Sequence, residues 1–188
     1  SFTMFNNNSG FQNCIYGASA GYSITSGYYN NGFGAGVLFH DTSGYANNAF
    51  GLYTLQANTV GQYNSAFGNV AMYYNTTGHE NAAFGGNSLL ANTTGSWNAA
   101  FGDEAAASST TADGVVAVGN RALLNNTASY VVAVGDSALL SNTSGTGNVA
   151  VGGKTLQNNS TGSDNTAIGD SALFSNSTNP LNTAVGAS

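Results

Sequence analysis

Charge is the scarcest property of this chain. Asp, Glu, Lys and Arg make up 5% of its 188 residues, where ordinary globular domains carry about 25%. Only Arg121 and Lys154 are basic, and the formal net charge is −6. Nucleic-acid binding needs a cationic footprint, so that class is excluded. A basic amphipathic helix lying on a membrane is excluded for the same reason. No run of about 18 apolar residues occurs, so the sequence predicts no membrane-spanning helix. Cysteine is represented by Cys14 alone, which rules out an internal disulfide. No signal peptide is visible at Ser1, so the chain reads either as mature or as a segment of something longer.

Charge-poor does not mean disordered here. Disordered chains are usually highly charged and poor in apolar groups, whereas this one is 41% hydrophobic with ten Phe and ten Tyr. The rest is dominated by Asn, Ser, Thr, Gly and Ala. Uncharged polar side chains stack in rows without electrostatic repulsion, so the composition suits a stacked architecture.

A repeat accounts for the whole chain. Gly closes each Asn-x-Ala-apolar-Gly segment at Gly17, Gly34, Gly51, Gly68, Gly85, Gly102, Gly119, Gly135, Gly152, Gly169 and Gly186. Every step is 17 residues, except 16 from Gly119 to Gly135. No residues remain for a second domain, so residues 1–188 read as one repeat domain. Four residues before the closing Gly stands Asn: Asn13, Asn30, Asn47, Asn64, Asn81, Asn98, Asn148, Asn165 and Asn182, with Val115 and Val131 breaking the row. Two before it is a small residue, nearly always Ala from Ala49 to Ala184. Directly before it is a large apolar residue. This is aromatic early (Tyr16, Phe33, Phe50, Phe67, Phe84, Phe101) and aliphatic later (Val118, Val134, Val151, Ile168, Val185). Four after the Gly is mostly Leu or Met, seven after mostly Asn, eight after Thr or Ser from Thr25 to Ser177, and ten after usually Gly.

A period of 17 is too short for helical-hairpin repeats and does not match a heptad. Gly costs roughly 1 kcal/mol in a helix interior, and Asn, Ser and Thr do little better. Two fixed glycines per unit predict turns with positive φ. Short runs such as Asn-Thr-Ala-Val and Ala-Leu-Phe alternate with period two. The fold expected is an all-β parallel solenoid of eleven 17-residue coils, with two or three short strands per coil. Stacked at about 4.8 Å, eleven coils give a rod of roughly 50 Å. The Asn column becomes an amide ladder in which each bond is worth only about 1 kcal/mol net, while a buried amide left unpaired costs about 1–3 kcal/mol. The ladder therefore specifies register more than it supplies stability.

The segments Asn148–Gly152, Asn165–Gly169 and Asn182–Gly186, together with Ala91–Gly95, carry a pattern of Asn-Thr-Ala-Val-Gly, Ala-Leu and Asn-Thr-Thr-Gly. It resembles the shaft repeats of bacterial and phage tail fibres. It is also similar to the shorter repeat of trimeric autotransporter adhesin heads. That resemblance implies a left-handed parallel β-roll assembled as a trimer, on a cell surface or a virion. The coils here are longer than in those adhesin heads, and the N-terminal half is richer in Tyr and Phe. No receptor-binding tip, coiled-coil stalk, membrane anchor or autoprocessing chaperone segment is recognisable in the sequence.

In the segment before each Gly, Asn and Ala share one side and the Phe/Val column the other. If Asn and Ala fill the interior, the outer stripe approaches the roughly 500 Å² that monomers seldom expose, and other copies must cover it. If Phe/Val and Leu point inward together, the coil is self-sufficient. The first arrangement is expected. Neither end of the sequence shows a polar cap, and open strand edges invite pairing with another copy, so end-to-end stacking is expected as well.

Other chemistry is weaker. His40 and His79 fall at different places in their units and do not stack into a metal site. Asp103, Asp136 and Asp170 share a column with Asn120 and Gly153. Calcium is conceivable there, but solvated turn carboxylates are the simpler reading. Cys14 has no paired base in sequence. The sequons at Asn75, Asn92, Asn142 and Asn176 mark glycosylation candidates, although corner chemistry alone accounts for them. The Thr row from Thr25 to Thr143 suggests ice binding, but a flat ice face wants two such rows. Tyr22, Tyr28, Tyr29, Tyr45, Tyr53, Tyr63, Tyr73 and Tyr74 with Trp97 are candidates for stacking on sugars, or for packing between chains. The expectation is a non-enzymatic, cofactor-free structural protein that assembles with itself into an extracellular or virion fibre. The alternative is an adhesin or tail-fibre segment that binds surface glycans.

Overall fold

The structure, a computed structural model, describes residues 4 and 6–187. Its regular elements are eleven strands, one per repeat: β1 (Cys14–Tyr16), β2 (Asn31–Phe33), β3 (Asn48–Phe50), β4 (Ser65–Phe67), β5 (Ala82–Phe84), β6 (Ala99–Phe101), β7 (Val116–Val118), β8 (Val132–Val134), β9 (Val149–Val151), β10 (Thr166–Ile168) and β11 (Thr183–Val185). They pair in parallel, in chain order, as one sheet. Like residues sit over like: Ala49 partners Ala66, and Phe50 partners Phe67. The protein is a parallel β-solenoid, and no helix occurs among the described residues.

Each coil holds one three-residue strand, not the two or three expected. The Ala-Leu-Phe run at 172–174 lies in the turn region that follows the closing Gly. The reason is backbone conformation. Residues two and four after the closing Gly adopt positive φ: Tyr53 at 54° and Leu55 at 51°, Val70 at 51° and Met72 at 50°, Lys154 at 54° and Leu156 at 50°. Alternating signs of φ bend the chain repeatedly, and i→i+3 bonds such as Asn58 N–H to the Leu55 carbonyl at 3.2 Å close the bends. A strand cannot form there. The turn segment still bonds to neighbouring coils: Leu55 N–H donates to the Ala71 carbonyl at 3.1 Å, and Tyr53 N–H to the Ala35 carbonyl at 2.9 Å.

The closing glycines do take the strained backbone expected of them, with φ between +127° at Gly119 and +147° at Gly34. A Cβ on Gly68 would collide with the Gly85 carbonyl. The second glycine column, represented by Gly44 and Gly61, does not have positive φ. Its residues are small because the next coil passes close by: a Cβ on Gly44 would lie 2.6 Å from the Gly61 carbonyl oxygen.

The core is narrow. The Ala column from Ala49 to Ala167 and the Leu/Met column (Leu38, Leu55, Met72, Leu89, Leu123, Leu139, Leu156) are fully buried. The Asn column before the strands lines the same interior from Asn30 to Asn165. The Phe/Val column faces outward, so the arrangement with Asn and Ala inside is the one adopted.

The short unit loses its residue at one corner. In most coils the amide of the Asn seven after the Gly reaches the carbonyl three residues on, as Asn58 does to Gly61 at 3.1 Å. In the short unit Asn126 reaches Ala128, two residues on, at 2.7 Å. The strands on either side keep register, with Val116 opposite Val132 and Val132 opposite Val149.

Candidate functional site

Two amide ladders hold the coils together from inside. In the first, the Asn before a strand accepts the N–H of its counterpart one coil on and, from Asn13 to Asn148, donates to a carbonyl of that coil. Asn47 Oδ1 accepts Asn64 N–H at 3.1 Å and the Asn64 side-chain amide at 3.2 Å. Its Nδ2 donates to the Gly61 carbonyl at 2.8 Å. Val115 still donates its N–H to Asn98 Oδ1 at 2.9 Å but offers no oxygen to the next coil.

The second ladder is the Asn column seven after the closing Gly: Asn75 Nδ2 donates to Asn58 Oδ1 at 2.8 Å, and Asn92 to Asn75 at 2.8 Å. Ser109 interrupts it, because its hydroxyl turns to the Asn126 carbonyl at 3.0 Å and leaves Asn92 Oδ1 buried without a partner. The same ladder contains the sequons. Asn75, Asn92 and Asn142 are fully buried. Asn142 Nδ2 donates both to Asn126 Oδ1 at 2.8 Å and to the Gly145 carbonyl at 2.9 Å. Half-buried Asn176 likewise bonds Asn159 Oδ1 at 3.1 Å. In the folded coil these amide nitrogens are committed to the ladder.

One member of that column is an acid, which reading the column for asparagines alone passes over. Asp41 is completely buried. Burial pushes its carboxyl up from 3.8 to about 7, while hydrogen bonds from Gly44 N–H and the Asn58 amide pull the other way.

The outer face carries a third ladder. Tyr16, Phe33, Phe50, Phe67, Phe84 and Phe101 form one continuous stack, with centroid separations of 6.5 Å at the first step and 4.7–5.0 Å thereafter. Phe33 and Phe101 are each 41% exposed, since stacking covers ring faces and leaves edges in water. Val118, Val134, Val151, Ile168 and Val185 continue the row.

The remaining aromatics fall on several sides of the rod. Tyr28 and Tyr45 stack at 4.7 Å, with Tyr63 edge-on to Tyr45 at 5.2 Å. Tyr22 stacks on Phe39 at 5.1 Å, and Tyr73 meets Tyr74 edge-on at 4.6 Å. Trp97 Nε1 donates to Glu80 Oε2 at 3.2 Å. Tyr53 covers Gly36, and beside it lies an open notch of about 350 Å³ lined by Ser19, Gly36, Phe39, Tyr53 and Gln56 with Ala18 and Ala35.

His79, Ser96 and Asp113 come together, though not as a proton relay. Ser96 Oγ lies 2.9 Å from His79 Nδ1, but Asp113 accepts the backbone N–H of Ser96 at 2.7 Å instead of orienting the imidazole. Ser96 is also buried. The geometry is that of a structural network. His40 is exposed elsewhere on the rod. Asp103, Asp136 and Asp170 stay two coils apart with Asn120 and Gly153 between them, and no trio of metal-ligating side chains gathers among the described residues. Asp103 and Asp170 instead fill the space left by Gly86 and Gly153. Cys14 is exposed on β1. The Thr hydroxyls donate to the next coil, as Thr59 Oγ1 does to the Thr76 carbonyl at 3.0 Å.

A stack of one-strand coils, laddered by Asn within and by aromatic rings without, defines a β-solenoid repeat protein. No protein-family model matches the chain, and no curated protein or solved structure matches it either.

Proposed function

We propose that this is a non-enzymatic structural protein that assembles with itself into a fibre exposed outside a cell or on a virion. The observation that carries this reading is the continuous outward row from Tyr16 to Val185. It runs the length of a rod of roughly 50 Å, and its exposed area approaches what monomers seldom leave uncovered. A partner must match a repeat of about 4.8 Å to cover it evenly, and another copy of this rod has that repeat. No charged side chain interrupts the row, so no like charges face each other within the contact. Along the axis each coil offers the next the same amides and carbonyls, so the bonds that join coil to coil also suit molecule to molecule. The resemblance to tail-fibre shafts and trimeric adhesin heads points the same way.

The test pairs electron microscopy with light scattering. Wild type is expected to form filaments or discrete oligomers, and Phe50→Lys with Phe84→Lys to remain a folded single rod. Monomeric wild type at tens of micromolar would refute the proposal.

A second reading, recognition of neutral surface glycans, is favoured by the notch beside Tyr53. Phe39 and Tyr53 offer ring surface for sugar stacking, and Ser19 and Gln56 offer uncharged hydrogen-bonding groups. Titration calorimetry with neutral oligosaccharides tests it: binding lost in Tyr53→Ala supports the reading, and no heat with any of them removes it.

A further inference from the structure

We propose that Asp41 is a proton-dependent latch in the inner asparagine ladder, closing the coils around it when protonated and loosening them when ionised.

The geometry comes from comparing Asp41 with its column. Asn7 shows the pattern within one coil: its Oδ1 accepts Gly10 N–H at 2.8 Å and its Nδ2 donates to the Gly10 carbonyl at 3.2 Å. Asn58, Asn75 and Asn92 donate in the same way to Gly61, Gly78 and Gly95 at 3.0–3.1 Å. Asp41 copies the oxygen half of this pattern. Its Oδ1 accepts Gly44 N–H at 2.9 Å and the Asn58 amide at 3.3 Å. Oδ2 therefore takes the place of the amide nitrogen. It is buried and has no partner. Protonated, Oδ2 donates to the Gly44 carbonyl as an asparagine does, and the ladder is complete. Ionised, it sets two acceptors against each other in a dry site. The Gly44 carbonyl already receives Asn30 Nδ2 at 2.8 Å, so it cannot turn away without breaking the other ladder.

Nothing nearby compensates the charge. On the preceding coil Asp41 faces Ile24, which is fully buried, and on the following coil Asn58. Within its own coil it packs by Leu38 and Gly44. None of these groups titrates. His40, which precedes it in the chain, is exposed. Only burial and the Gly44 and Asn58 hydrogen bonds act on the carboxyl, and no charged side chain contributes.

The folded-state value, about 7, lies above the unfolded value of 3.8. The stabilisation is therefore complete below pH 3.8, falls as pH rises, and levels off above about pH 7. Hydrogen exchange reads this locally. Protection factors at Leu38 and Thr42, taken relative to the distant Leu139, should fall in wild type by about tenfold per pH unit between pH 5 and 7. In Asp41→Asn the ratio should be flat and higher than wild type at pH 7. Asp41→Ser, the residue type the column carries at Ser109, should be flat as well, and it serves if the Asn variant misfolds. A wild-type ratio that does not change with pH, or a slope that survives in the folded variants, overturns the proposal.

Discussion

At the scale of single residues, the solenoid is most sensitive where one coil touches the next through an atom that has no substitute. Asn92 Oδ1 is such an atom, buried and unpartnered because Ser109 is too short to reach it. Ser109→Asn should restore the missing rung, with a second bond to the Ala112 carbonyl. Asn98 already occupies that carbonyl at 2.8 Å, and Gly61 shows that one carbonyl takes two amides. In this coil Ala106 takes the place that Leu89 and Leu123 hold in its neighbours, so the interior there carries less side-chain volume. The gain should be about 1 kcal/mol, a rise in Tm of roughly 2–4 °C by calorimetry. Gly68→Ala should go the other way. Its φ of +145° and its contact with the Gly85 carbonyl both forbid a Cβ. The loss should exceed about 3 kcal/mol, measured by denaturant unfolding.

At the scale of the repeating element, three residues of strand support fourteen of turn, and the interior ladders do the work that longer strands do elsewhere. Asn64→Val tests this. It removes the acceptor of Asn81 N–H and leaves that donor buried, while the Gly78 carbonyl loses one of its two amides and keeps the one from Asn75. The column tolerates Val at Val115 and Val131, so the variant should fold, at a cost of about 1–3 kcal/mol in denaturant unfolding. A cost near zero would mean that the ladder sets register alone.

The sequence shows these columns plainly, because like residues recur at fixed offsets and the parity of Asn and Ala separates inside from outside. It does not show how the Leu column reaches the interior. Leu and Met strongly disfavour positive φ, at about 1–2 kcal/mol each. No local signal announces that Leu55 or Met72 sits there. Burial of the side chain, worth about 1.5–3 kcal/mol, overrides the local preference. The expected strand count exceeds the actual one for this reason: Ala-Leu-Phe alternates as a strand does, but its backbone does not. Asp41 was legible in principle, as the one acid in a column of amides.

At the scale of the whole molecule, ten charged residues leave little for salt to screen. If the rods associate through the row from Tyr16 to Val185, raising NaCl from about 0.05 to 0.5 M should leave the oligomer distribution unchanged or shift it modestly upward as repulsion from the −6 net charge is screened. Dissociation by salt, seen in sedimentation velocity, would point to polar contacts instead. The change from Phe to Val near β7 divides the molecule into two textures. The first half presents stacked rings. The second presents a flatter branched-aliphatic surface in which Val116, Val132 and Val149 share the outer face with Val118, Val134 and Val151.

The shortened corner at Thr127–Ser129 has a practical meaning. One amino acid is missing there, yet Val116 and Val132 still meet and Val132 still meets Val149. Contour length is thus negotiable at that bend and fixed at the strands. A guest peptide spliced in at the bend would project sideways without disturbing the stack, and repeating the splice in successive units would set cargo in single file at intervals of one strand spacing.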